Sequence, residues 1–127
     1  MKKEKEKNNV SGPMIYLAIP DPFLDSDERE WTLTRRNGVQ DVLGLQDVLL
    51  HTLRRCPVET GLDAMRVLDI REAVKHCVSG YIALGENDWL WMIEHFKLHA
   101  HLVWLAPEAA YLVRYLNCNA ATSIPSI

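Results

Sequence analysis

The hydrophobic period of this chain changes around Gly44, and that change limits the fold more than any other feature. Before it, apolar residues come in a short run or alternate with polar ones; after it, they recur every three or four positions. Alternation puts every second side chain on one face of a strand, and a spacing near 3.6 does the same for a helix. Strand-sized segments followed by helix-sized ones predict an α+β domain, helix-dominated, with a short N-terminal β-hairpin or small sheet and four helices.

The strand half is punctuated by prolines and one turn. Met14–Ile19 is an apolar run bounded by Pro13 and Pro20, which suits a buried strand. Glu30–Thr34 alternates, with Trp31 and Leu33 on one face, and is expected to pair with the first strand. Asn37-Gly38 is the strongest turn signal, since both residues tolerate positive φ, and would close a hairpin between 30–36 and 39–43. A helix beginning near Gln40 is the competing reading of 39–43.

In the helical half, Leu45, Leu49, Leu53 and Cys56 share a face until Pro57 stops the segment, because the residue before a proline disfavours the helical region. Thr60 and Asp63 have the spacing of a capping box and open a helix to about Ser79, striped by Val67, Ile70, Val74 and Cys77. Tyr81–Leu84, between Gly80 and Gly85, is strand-sized. Asn87-Asp88 is expected to cap a helix to about Ala100 with Trp89, Met92, Ile93, Phe96 and Ala100 inward. Pro107 suits the start of the last helix, whose core side carries Tyr111, Leu112, Tyr115 and Leu116. The expected organisation is a mobile charged arm over 1–12, one domain over 13–117 and a tail over 118–127.

Charge and composition narrow the function classes. With 14 Lys and Arg against 17 Asp and Glu, the net charge of −3 disfavours non-specific nucleic-acid binding. Three cysteines, Cys56, Cys77 and Cys118, make neither an even disulfide set nor a C-x-x-C pair, as expected in a reducing compartment. No apolar run is long enough for a membrane span, and the charged start lacks the apolar stretch of a secretory signal.

Few residue groups carry the spacing of a chemical site. His95 and His99 stand at i and i+4, which points two imidazoles the same way, and His76 and His101 lie near in sequence. The intervening residues do not make the H-E-x-x-H of a metalloprotease, and Lys97 disfavours a cation, so no metal is assigned and a zinc site remains the alternative. Cys56 follows Arg54-Arg55, which could lower a thiol pKa, but its place on the apolar stripe favours burial. The Asp21, Asp25, Asp27 and Glu28 cluster lacks the spacing and glycine of a calcium loop and reads as a solvated acidic loop. No glycine pattern matches a phosphate cradle or a nucleophile elbow. Arg35-Arg36 and Arg54-Arg55 are the only arginine pairs, and the latter suits a helix C-terminus. No catalytic residue, cofactor or small-molecule substrate is assigned.

What stands out is apolar surface in the wrong place. Trp91 and Leu98, seven residues apart, fall opposite Trp89, Ile93 and Phe96; Met65 and Leu68 fall off the Val67, Ile70 and Val74 stripe. A domain of this size has trouble covering every such face, so these four residues are expected to form a protein interface.

The order of pieces resembles a group of small proteins encoded in tailed bacteriophages and prophages. The pieces are the first strand, the Asp25–Glu28 turn, the helix Leu45–Leu53, the longer helix with Arg66–Ile70 ending before Gly80–Leu84, the tryptophan-bearing helix and a short last helix. The resemblance covers roughly residues 13–117, lies in pattern rather than in diagnostic motifs, and brings no catalytic residues; Thr32–Gly44 is longer than that pattern leads one to expect. It implies a role in virion assembly, in the bacterial cytoplasm or the virion, with the chain itself or another phage protein as partner. The expected function is thus non-enzymatic contact between proteins, as a homo-oligomer. Zinc binding through His95 and His99, or a small nucleic-acid regulator using an arginine pair, are the alternatives.

Overall fold

The computed structural model of the chain describes residues 13–123. The arm expected over 1–12 and the last four residues of the expected tail lie outside the described residues. Within them the order is β1 (Met14–Ala18), β2 (Trp31–Thr34), β3 (Gln40–Leu43), α1 (Leu45–Arg55), α2 (Gly61–Lys75), β4 (Tyr81–Gly85) and α3 (Glu86–His99). A 3-10 turn (Ala100–Leu102), α4 (Ala106–Asn119) and β5 (Ala120–Ala121) complete it. The architecture is α+β, with four α-helices and two small sheets among the described residues.

β1 is the middle strand of a three-stranded antiparallel sheet in the order β4-β1-β5. Ile15 lies opposite Leu84 and Leu17 opposite Ile82, and all four are buried. This corrects the expected pairing of the first two strands. Both edges of β1 are occupied by β4 and β5, and β2 pairs only with β3.

The β2–β3 hairpin turns at Arg35–Gly38. Gly38 N–H donates to the Arg35 carbonyl, Arg35 N–H to the Val39 carbonyl, and only Gly38 takes a positive φ, +87°. Residues 40–43 are therefore strand rather than helix. Aromatic packing holds the hairpin to the body. Trp31 stacks on Phe23 at 5.3 Å between centroids, the edge of Trp104 meets Trp31, and Tyr115 of α4 meets the edge of Phe23.

α1 begins at Gly44, whose N–H donates to Asp47, and ends before Pro57 with Leu45, Val48, Leu49 and Leu53 buried. Thr60 caps α2 by accepting the Asp63 N–H, and Val67, Ile70 and Val74 face the core. α2 stops at Lys75, four residues short of expectation, where His76 leaves the helical region with a ψ of 66°, and Ser79 and Gly80, both with positive φ, then make a tight turn closed by Val78 and Tyr81. Such a two-residue turn matches the twist of antiparallel strands and aims the chain into β4. Cys77, expected on the apolar stripe, is exposed there. Gln46 of α1 donates to the Val74 carbonyl at 2.8 Å and so satisfies a carbonyl of the last turn of α2.

α3 starts two to three residues earlier than the Asn87-Asp88 signal implied. Gly85 is its N-cap, and Glu86 and Asp88 fall in the first turn, where negative charge suits the helix dipole. The segment expected as a tail instead extends α4 to Asn119 and adds β5 beside β1.

Candidate interaction surface

The four expected interface residues do not share one environment. Met65 and Leu68 on α2 are 62% and 56% exposed, and Leu98 on α3 is 64% exposed. Leu62, one turn before Met65, is the most exposed large apolar side chain among the described residues at 79%. It was not singled out from the sequence, although the i, i+3 spacing to Met65 carried the signal.

Trp91 is different, and the expectation that it points outward is corrected. It is half-buried and packs against the core. The Arg66 guanidinium of α2 lies 5.7 Å from the centre of its ring, and the His95 imidazole stacks on it at 4.5 Å with 17° between the planes. Arg66 also pairs with Asp88 at 3.2 Å, so one α2 side chain grips two positions one turn apart on α3. Helical periodicity placed Trp91 away from Ile93 and Phe96; it could not show that a neighbouring helix supplies a cation to cover the ring.

The seam between α2 and α3 holds several titratable groups. His95 is buried, its Nε2 has no hydrogen-bond partner, and its ring meets that of His99 at 4.8 Å. Burial holds the His95 pKa below the ordinary histidine value, the neighbouring His99 adds to that, and Asp63 opposes it. Asp88 is raised by burial, against the pull of Arg66, with Asp69 adding to the rise.

The zinc alternative finds no ligand set among the described residues: no three of His, Cys, Asp or Glu converge. His76 hydrogen-bonds Glu72 at 3.2 Å at the end of α2, and His101 lines an open groove together with Arg114 of α4. Only His95 and His99 come together. Two ligands on one helix leave half of a tetrahedral site unfilled.

The remaining sequence features resolve locally. Burial pushes the Cys56 thiol up to about 11, the reverse of activation by Arg54-Arg55. Asp25 accepts the N–H groups of Asp27 and Arg29 at 2.9 and 3.0 Å, which turns the acidic loop on itself. Arg35 makes a two-pronged pair with Asp41 across the hairpin, so one member of that basic pair is already engaged. Among the described residues no helix is long and apolar enough to cross a membrane.

No family model, curated protein or solved structure matches the chain. The surface chemistry therefore carries the functional reading by itself.

Proposed function

We propose that this chain works through protein–protein contact rather than catalysis, with a second copy of itself as partner. One observation carries the reading: Leu62, Met65, Leu68 and Leu98 stay more than half exposed on two adjacent helices although the core beneath them is closed. Covering a large apolar side chain contributes roughly 1.5–3 kcal/mol when it starts fully exposed. Four partly covered ones thus supply on the order of 4–8 kcal/mol, and against an ordering cost that starts at about 4 kcal/mol they leave a net contact of up to about −4 kcal/mol, a millimolar Kd. The contact is accordingly weak for an isolated pair and becomes strong only at high local concentration. A virion-assembly setting would supply such a concentration, and the likeness to tailed-phage proteins is the sole support for that setting.

Static light scattering and sedimentation velocity test the proposal. The full chain is expected to gain mass reversibly as concentration rises, and Met65→Lys or Leu62→Lys to weaken that gain with an unchanged circular dichroism spectrum. A chain that stays monomeric up to about 1 mM would remove the proposal, since contact free energies near −4 kcal/mol already give association there.

A further inference from the structure

A second surface, between α3 and α4, carries small apolar and cationic side chains where the α2 face carries large apolar and acidic ones. α3 and α4 enclose an open groove of about 500 Å³. Ala106, Ala110 and Val113 give it an apolar lining over the buried Phe96 and Ala109, and its cations are Arg114 and Lys97, the latter also meeting Glu94 at 3.1 Å in an exposed i, i+3 pair. Alanines at 106, 109 and 110 keep the α4 side low, so a partner helix can approach closely.

On α2, Leu62, Met65, Asp69 and Glu72 follow one another at i, i+3, i+7 and i+10, which puts them on one stripe of the helix. All four are exposed. The stripe is apolar at its N-terminal end and carries Asp69 and Glu72 at its C-terminal end, where Glu72 also meets Lys75 at 3.8 Å and His76 at 3.2 Å in exposed pairs on its own helix. From Leu62 to Glu72 it spans about 15 Å, and the α4 side of the groove from Ala106 to Asn117 spans about 16 Å.

We infer that the α3/α4 groove receives the α2 stripe of a second copy, with Leu62 and Met65 on the apolar lining and Asp69 and Glu72 against Lys97 and Arg114. This deepens the self-association reading and rests on it. The acidic loop at Asp25–Glu28 offers charge to the same cations, but it has no apolar side chains to cover Ala110 and Val113. Because groove and stripe are different surfaces, the contact is head-to-tail. Each added copy presents a free groove at one end and a free stripe at the other, so growth gives an open chain or a ring and not a closed two-fold dimer.

Complementation between two damaged chains tests this. Arg114→Glu combined with Lys97→Glu spoils the groove and keeps the stripe; Met65→Ser combined with Asp69→Asn spoils the stripe without adding a cation and keeps the groove. All four positions are outside the core, and circular dichroism confirms that each variant is folded. Each is expected to be monomeric alone at concentrations where the wild type grows, at least ten-fold weaker in Kd. Mixed in equal amounts they are expected to form a one-to-one dimer that does not grow further, and added salt weakens it. A mixture that stays monomeric overturns the inference. So does a groove variant that assembles like wild type while the stripe variant does not, which would leave self-association standing through a symmetric α2 contact. A wild-type chain that never assembles removes both.

Discussion

Trp104 donates its indole N–H to the hydroxyl of Thr52 at 2.8 Å, across 52 positions of sequence, and Thr52 in turn donates to the Val48 carbonyl at 2.6 Å. The relay fastens the turn after α3 to the middle of α1, and the edge of Trp104 then meets Trp31 of the hairpin. Thr52 is fully buried, so its hydroxyl stays only because both of its partners are met. Thr52→Val keeps the shape and leaves the indole N–H without its acceptor. A loss of about 1–3 kcal/mol is expected in urea unfolding. A variant as stable as wild type would show that water replaces the hydroxyl.

The same substitution at two glycines should act with opposite sign. Gly80 has a φ of +81° in the turn before β4, where a Cβ is strained, so Gly80→Ala is expected to cost about 1 kcal/mol. Gly61, the first residue of α2, has an ordinary φ, and a Cβ there meets nothing within 4 Å. Gly61→Ala should therefore stabilise by about 0.5 kcal/mol through the unfolded chain. Thermal melts of both variants check the pair, and equal signs would contradict the assigned backbone.

These two glycines also mark what could be read from sequence. Asn37-Gly38, Pro57, the Thr60 cap and Pro107 act on their immediate neighbours, and each sets a boundary where its local chemistry says. The end of α2 was missed because Ser79-Gly80 is a turn only once β4 must run antiparallel to β1, more than sixty residues earlier in the chain. The strand partner of β1 was missed for the same reason. At the candidate surface, periodicity was enough for Met65, Leu68 and Leu98, whose surroundings are solvent. It failed for Trp91, which Arg66 covers from another helix, and it could not show a groove made by residues from α3 and α4 together.

Thiol reactivity separates the three cysteines. Cys77 and Cys118 are exposed, whereas Cys56 is buried at the end of α1 with its pKa pushed up to about 11. An aromatic disulfide reagent at pH 8 should titrate two thiols quickly and the third only after denaturation, because the thiolate is the attacking species. Rapid reaction of all three would mean that the end of α1 opens readily.

Histidine burial sets the acid side of the stability profile. His95 is lowered by burial and by His99 on its own helix, with Asp63 of α2 opposing; His51 is lowered by burial and by Arg55 and Arg54. The unfolded chain protonates these rings near their ordinary value of 6.5, while the folded chain resists until lower pH. Between those points the unfolded state binds more protons, so stability is complete above about pH 6.5 and falls as the pH drops below it. In His95→Gln one of the two resisting rings is gone and the amide does not titrate. Urea unfolding at pH 7.5, 6.5 and 5.5 is expected to show a shallower loss for that variant than for wild type. The sign follows from the orphaned Nε2: a proton placed there gains no buried acceptor, and the added charge faces His99 with only Asp63 to offset it. Parallel profiles for the two proteins would mean that solvent reaches His95 in the folded state.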